Sequence, residues 1–199
     1  MSSEHPLAPL FQRAFTASIA TKQQLLADHL DPMLAIADAV IGTFREGHKV
    51  LLCGNGGSAA DAQHIAAEWV TRYRTTRPAL PALALTVNTS DLTAIGNDFD
   101  FDQIFARQLE AHAQPGDLLI AISTSGTSPN VVEAVRRAKS MRVRCVGLSG
   151  RDGGLLGRLA DISLVVPGEE TARIQEAHTL LLHAVCEAVD ASLFADFED

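Results

Sequence analysis

Hydrophobic residues near the start of the chain recur at helical spacing. Leu26 and Leu30 lie four positions apart, as do Ile36, Val40 and Phe44, which predicts amphipathic helices within residues 9–44. The Asp31-Pro32 step predicts a break between two helices, because the residue before a proline disfavours helical backbone angles. Gly47 then predicts the end of the second helix.

Beyond Gly47, short apolar runs alternate with amphipathic stretches. The runs predict buried strands at residues 49–53, 82–87, 118–122, 143–148 and 162–166. The stretches between them predict helices at residues 58–74, 90–113, 129–141 and 171–193, and the second of these can hold two helices. Apolar strands that alternate with helices are typical of a parallel sheet covered on both faces. We therefore predict an α/β fold with a doubly wound parallel sheet flanked by helices.

The length of the chain predicts one domain, residues 1–199. Its N-terminal helical segment is residues 1–47, and its α/β core with the closing helix is residues 48–199. The N-terminal helices stand outside the alternation of strands and helices. They are therefore available to pack against the closing helix or against partner chains, and we expect them to serve oligomerisation.

The composition indicates a folded domain and argues against nucleic acid as a partner. Of 199 residues, 47% are hydrophobic and 20% are charged. The 16 basic and 24 acidic residues give a net charge of −8, whereas a nucleic-acid binder normally has a basic face. The basic residues of the segment 136–144 lie at a predicted helix end, where they complement the helix dipole.

The cysteines and the apolar runs indicate a cytoplasmic protein. Cys53, Cys145 and Cys186 are odd in number, widely spaced and without a CxxC motif, which favours reduced, buried thiols. The first residues lack a basic segment followed by an apolar one, so we expect no signal peptide. No apolar run reaches the roughly 20 residues that span a bilayer, so we expect no membrane segment.

Two loops at predicted strand ends have the composition of phosphate sites. The loop of Gly54, Asn55, Gly56, Gly57 and Ser58 allows close backbone approach to an anion at a helix start, but a tight turn would also need these glycines. The loop at residues 123–130, STSGTSPN, carries five hydroxyls before a helix, and capping that helix needs only one. We therefore favour phosphate binding at the second loop and leave the first one open.

Other polar groups are weaker candidates when each is taken alone. Asn97 and Asp98 follow a glycine at a predicted helix end, where a simple C-cap explains them equally well. His64 and Glu68 are four residues apart and share a helix face, which suits a metal pair, an acid/base pair or a surface hydrogen bond.

The closing helix adds two further candidates. Gln175 and His183 lie roughly 80° apart around its axis, close enough to face one pocket. His183 stands among leucines, where its ring is either a satisfied core residue or part of a site. His178 lies about 140° from His183 around the axis, so we predict that it packs elsewhere.

Four segments in this order resemble the phosphoheptose isomerases of the sugar isomerase (SIS) superfamily. They are GNGGSAADAQHIAAE, AIGNDFDFDQIF, GDLLIAISTSGTSPNVVEA and RIQEAHTLLLH. The resemblance extends over about residues 25–194. The serine-rich loop alone would indicate the superfamily, whereas His64 and Glu68 together with Gln175 and His183 are more specific.

The resemblance implies a homotetramer with active sites built between subunits. It implies zinc, one per subunit, with His64, Glu68, Gln175 and His183 as ligands, and Glu68 and His183 as the acid/base pair. The substrate contacts that it implies are Asn55, Gly56, Gly57, Glu68, Asn97, Asp98, Ser123, Thr124, Ser125, Ser128 and Gln175.

The reaction that the resemblance implies is a ketose–aldose isomerisation. D-sedoheptulose 7-phosphate becomes D-glycero-D-manno-heptose 7-phosphate through an enediol(ate), the first step of bacterial ADP-heptose synthesis for lipopolysaccharide. Such a step needs a base for the carbon-bound proton and an acid for the oxygens, which we assign to Glu68 and His183. Zinc would polarise the carbonyl or fix the open chain.

Two other functions are compatible with an SIS-like sequence. Replication-initiator (DnaA)-associating proteins of this superfamily are tetramers not known as isomerases, but they commonly lack a histidine where His183 stands. Sugar-phosphate-sensing regulators usually carry a DNA-binding module, and no separate helix-turn-helix segment is evident in this chain. We therefore favour the enzyme.

Overall fold

Five short strands of branched and other apolar residues form a parallel sheet in the computed structural model, which describes residues 5–195. They are β1 (Val50–Gly54), β2 (Ala82–Ala84), β3 (Leu118–Ile122), β4 (Arg144–Gly150) and β5 (Ile162–Val166). Their order across the sheet is β2-β1-β3-β4-β5, and every neighbouring pair is parallel. All residues of β1 and β3 are buried, which explains their continuous apolar runs.

Eight α-helices connect or flank these strands within residues 5–195. They are α1 (Ala8–Asp28), α2 (Leu30–Arg45), α3 (Gly57–Val70), α4 (Thr89–Asp98), α5 (Ile104–His112), α6 (Pro129–Ser140), α7 (Gly154–Leu159) and α8 (Thr171–Leu193). A single 3₁₀ turn in the same part of the chain, Phe101–Gln103, separates α4 from α5.

Successive strand residues point to opposite faces of the sheet, and each face has its own apolar core. Leu52 and Ile120 lie in the core that α2, α3 and α8 cover. Leu51 and Leu119 lie in the core that α5, α6 and α7 cover. The predicted α/β fold, a doubly wound parallel sheet flanked by helices, is therefore confirmed.

The strand order creates a cleft at the carboxyl ends of β1 and β3. The chain leaves β1 through α3 on one face and returns to β3 through α5 on the other face. The loops after these two adjacent strands therefore diverge, and ligands of open α/β sheets bind at such a point. These are the loops that the sequence singled out at residues 54–58 and 123–130.

Several predicted boundaries were wrong. The break between α1 and α2 falls at His29, and Pro32 stands in the first turn of α2, where its missing N–H has no helical partner to lose. The predicted third helix ends at Val70 and not at residue 74. α7 was missed because two glycines within its six residues hide the helical pattern.

The two N-terminal helices differ in burial. α2 contributes Ile36 and Val40 to the core, whereas Leu25 is the one buried residue of α1 in the described part of the chain. Phe11 and Phe15 of α1 are exposed. Among residues 5–195, no helix is both long enough and apolar enough to cross a membrane.

Candidate active site

The glycines after β1 bring the strand end, the start of α3 and a side chain of α8 into close contact. Gly56 has φ 54° and ψ −119°, a conformation that favours glycine. A Cβ on Gly57 would lie only 2.5 Å from Oε1 of Gln175. No side chain caps α3, so its first N–H groups are available to an anion at the cleft.

The hydroxyls after β3 bond to one another and do not cap α6. Ser123 Oγ lies 2.9 Å from Ser128 Oγ and 3.4 Å from Ser125 Oγ. Ser128 stands at the N-cap of α6, but its side chain accepts no hydrogen bond from that helix. The backbone N–H of Thr127 donates to Ser125 Oγ over 3.2 Å. This folded loop concentrates hydroxyls at the cleft, which favours phosphate binding over simple capping.

Asn55 and Asn130 join the two loops through a reciprocal amide pair. Nδ2 of Asn55 donates to Oδ1 of Asn130 over 2.8 Å, and Nδ2 of Asn130 donates to Oδ1 of Asn55 over 2.9 Å. Asn130 is buried and its Oδ1 also accepts from the N–H of Val131. Asn130 was not among the site residues predicted from the sequence, although its place in the first turn of the helix after a hydroxyl-rich loop was a usable signal.

Asn97 and Asp98 pair with each other, and within residues 5–195 no side-chain hydrogen bond joins either of them to the two loops. Nδ2 of Asn97 donates to Oδ1 of Asp98 over 2.8 Å, and both residues are exposed at the end of α4. α4 itself has no buried residue among those described.

Two imidazoles and a carboxylate form a contiguous row between α3 and α8. Nε2 of His64 lies 2.8 Å from Nε2 of His183, and the two rings are nearly perpendicular at 89°. Nδ1 of His64 lies 3.7 Å from Oε1 of Glu68. Glu68 and His183 thus approach opposite nitrogens of His64, whose side chain is 48% exposed and open to a ligand.

Gln175 lies at the first loop and not in the imidazole row. Its Nε2 donates to Oδ2 of Asp61 over 3.1 Å, and the hydroxyl of Thr179 donates to Oδ1 of the same carboxylate over 3.0 Å. Asp61 is buried and was not selected from the sequence, because its partners are more than 100 positions away along the chain.

His178 packs in the core, as predicted. It is fully buried and its Nε2–H donates to the backbone carbonyl of Ser149 over 3.0 Å. Burial lowers the pKa of His178 from 6.5 to about 4, against the opposite effects of the Ser149 hydrogen bond and of Asp61. The imidazole is therefore neutral near pH 7 and lies apart from the row of His64 and His183.

The donor types suit zinc, but they are not gathered around one point. Imidazole nitrogens and a carboxylate oxygen are ordinary zinc ligands, and the Nε2 atoms of His64 and His183 converge. Glu68 faces the other nitrogen of His64, and Gln175 is bonded to Asp61. Among residues 5–195, no three His, Cys, Asp or Glu side chains are already arranged as a metal cluster. The zinc ligand set stays a prediction.

Comparison with known proteins places the chain among sugar-phosphate isomerases. The SIS domain family matches residues 14–150. Phosphoheptose isomerase of Clostridium acetobutylicum is 49% identical over 185 residues, which cover 92% of this chain and 94% of the relative. Phosphoheptose isomerase of Roseiflexus sp. is 52% identical over 180 residues, which cover 90% and 91%.

A solved structure of a phosphoheptose isomerase also has the fold of this chain. The phosphoheptose isomerase GmhA from Neisseria gonorrhoeae superposes with a TM-score of 0.88 at 44% identity, over 93% of this chain and 99% of that structure.

Proposed function

The chain belongs to the SIS domain family and, within it, to the phosphoheptose isomerases, and we propose from this premise how its residues catalyse the reaction. The enzyme converts D-sedoheptulose 7-phosphate to D-glycero-D-manno-heptose 7-phosphate. The observation that carries the proposed mechanism is the row of Glu68, His64 and His183, in a protein whose loops at residues 54–58 and 123–130 suit phosphate binding. No observation favours the initiator-associating alternative.

The two ends of the substrate correspond to two parts of the cleft. The phosphate would lie between the start of α3 and the hydroxyls of Ser123, Thr124, Ser125 and Ser128, with Asn55, Gly56 and Gly57 supplying backbone and amide donors. His64 follows Gly57 by two turns of α3, about 10 Å along the helix axis. That separation suits an open seven-carbon chain, with its carbonyl end at the imidazole row.

The proton transfers require one base and one acid at that end. Glu68 would remove a proton from C1 while His183 protonates the C2 oxygen, which gives the enediol. Glu68 would then return the proton to C2, and His183 would accept the proton of the C1 hydroxyl. His64, which contacts both side chains, would hold Glu68 and His183 at a fixed distance from each other.

Zinc, one ion per subunit, would be held by His64, Glu68, Gln175 and His183, whose side chains would have to turn toward a common point. Because a carboxylate or an imidazole bound to zinc is a poorer base than a free one, either the ligation of Glu68 and His183 would loosen during the proton transfers or the ion would mainly organise the site. When bound, it supplies a Lewis acid that polarises the carbonyl. Elemental analysis of protein prepared without chelator, and the assay with and without added zinc, test this point. Absence of bound divalent metal together with full activity after chelation would contradict it.

A homotetramer with sites between subunits is supported by the apolar surface of α1 and α8. Ile19 and Leu26 of α1 and Leu180 of α8 are exposed around a groove of about 470 Å³. Sedimentation should give the mass of four chains of 21.2 kDa each, and a monomer with full activity would contradict this proposal.

A cytoplasmic location is supported by the cysteines. Cys53, Cys145 and Cys186 are free and buried, as the sequence predicted. Free thiols persist in reducing compartments.

The isomerase assay with sedoheptulose 7-phosphate tests the assigned roles. Glu68→Gln and His183→Asn should each lower kcat by about 10²-fold or more, the usual contribution of a general acid or base. Both side chains are partly exposed, so we expect the unfolding curves of the variants to stay close to that of the parent protein. Near-normal turnover in Glu68→Gln would remove Glu68 from the mechanism.

A further inference from the structure

The segment after α3 contacts both helices that carry the proposed acid/base groups. Arg77, whose side chain is 0% exposed, donates through Nη2 to the backbone carbonyl of Glu68 over 3.1 Å and through Nη1 to that of Trp69 over 2.9 Å. These are carbonyls of the last helical turn, which have no partner inside the helix. The guanidinium therefore fixes the end of α3 at the residue that carries the proposed base.

Asp190 of α8 connects this arrangement to the other helix. Its Oδ1 accepts from Nε of Arg77 over 2.9 Å in a buried ion pair. Its Oδ2 accepts from the backbone N–H groups of Arg74 and Thr75 over 3.2 and 3.3 Å. Asp190 follows His183 by seven residues, or two turns, so the two lie on nearly the same face of α8. One carboxylate thus ties the end of α3 and the following loop to the helix of His183.

The same loop holds an aromatic ring against His183. Tyr73 stacks on the imidazole with ring centroids 5.7 Å apart and an angle of 24° between the planes. The hydroxyl of Tyr73 donates to Oε1 of Glu187 over 3.3 Å, and Arg74 forms an ion pair with that carboxylate over 3.1 Å. His183 therefore contacts Tyr73 along its ring face and His64 at its Nε2.

We propose that Asp190, Arg77 and Tyr73 are positioning residues of the isomerase. The buried Asp190–Arg77 pair sets the distance between the end of α3 and α8, and Tyr73 fixes the orientation of the His183 ring. This inference rests on the proposed roles of Glu68 and His183. None of the three residues needs to touch the substrate, so their loss should lower kcat and leave KM nearly unchanged.

Two substitutions of Tyr73 test the stacking without disturbing the buried pair. Tyr73→Leu removes the ring, and we expect kcat to fall about tenfold or more with KM within about twofold, because small misplacements of a catalytic group are costly. Tyr73→Phe keeps the ring and loses only the hydroxyl, so it should restore kcat to within about twofold of the parent. Equal kcat in the parent and Tyr73→Leu would overturn the role of Tyr73.

Arg77→Lys and Asp190→Asn test the buried pair. Arg77→Lys keeps the positive charge but cannot make the forked contact with the two backbone carbonyls. Asp190→Asn keeps the size of the side chain but removes the negative charge that accepts from Arg77. For each variant that remains folded by circular dichroism, we expect the same loss of kcat at a nearly constant KM. A folded variant with parental kcat would overturn the role of the pair, and if neither variant folds, the Tyr73 series decides the proposal.

Glu68→Gln, measured beside these variants, separates this inference from the proposed function. An active parent, an inactive Glu68→Gln and a normal Tyr73→Leu would contradict the positioning role alone. An active Glu68→Gln would contradict the acid/base assignment itself, and the positioning role with it.

Discussion

Asn55 and Asn130 exchange two side-chain hydrogen bonds, of 2.8 and 2.9 Å, across the gap between the ends of β1 and β3. The two residues are 75 positions apart in the chain, and each belongs to one of the two loops assigned to the phosphate. The pair therefore sets the width of the phosphate site at the point where the sheet connections diverge.

Breaking the Asn55–Asn130 pair should weaken substrate binding and folding together. In Asn55→Ala, the buried Nδ2 of Asn130 loses its acceptor, which costs about 1–3 kcal/mol of unfolding free energy. We expect KM for the sugar phosphate to rise as the loops separate. The double variant Asn55→Ala/Asn130→Ala is the control, because coupled residues lose less together than the sum of the single losses. Additive losses in urea unfolding would contradict the coupling.

Gly57→Ala should impair activity through Gln175. The added methyl would lie 2.5 Å from Oε1 of Gln175, so the carboxamide must move away from Asp61 and from the loop. We expect kcat/KM to fall about tenfold or more. Gly42→Ala in α2 is the matched control, because a Cβ there meets nothing within 4 Å. The control should keep kcat/KM and gain up to about 1 kcal/mol of stability, and equal activity in both variants would contradict the assignment.

His178 should make the folded state sensitive to acid. Burial lowers its pKa to about 4, whereas an unfolded histidine titrates near 6.5, so between these values the unfolded chain binds more protons. The contribution of His178 to the free energy of unfolding is therefore fully present above about pH 6.5. It falls as the pH falls, by about 2 kcal/mol between pH 7 and pH 5. His178→Gln cannot titrate and should lose correspondingly less in urea unfolding at the two pH values. The same loss in both proteins would contradict this prediction.

The three cysteines should be unreactive in the folded protein. Burial raises the pKa values of Cys145 and Cys186 to about 12, and that of Cys53 is also raised, so thiolate is scarce near pH 7. A thiol reagent such as Ellman's reagent should label no cysteine of the native enzyme and all three after unfolding in guanidinium. Rapid labelling of a native cysteine would show that its strand or helix opens.

The sequence was sufficient for features that depend on neighbouring residues. Continuous apolar runs predicted the buried strands, as at Leu118–Ile122, and four-residue spacing placed His64 and Glu68 on one helix face. It was insufficient for contacts made by distant segments. Asp61, Asn130 and Tyr73 acquire their partners only when helices pack around the sheet, so no local pattern distinguishes them from ordinary polar residues.

The neutral donors of the phosphate loops also affect how substrate arrives. Hydroxyl and amide dipoles attract an anion only over a few ångströms, whereas the net charge of −8 acts over roughly the Debye length. A sugar phosphate therefore approaches a protein that repels it at long range and binds it at short range. Salt screens the repulsion, so association should become somewhat faster as ionic strength rises, which is the opposite of electrostatic steering.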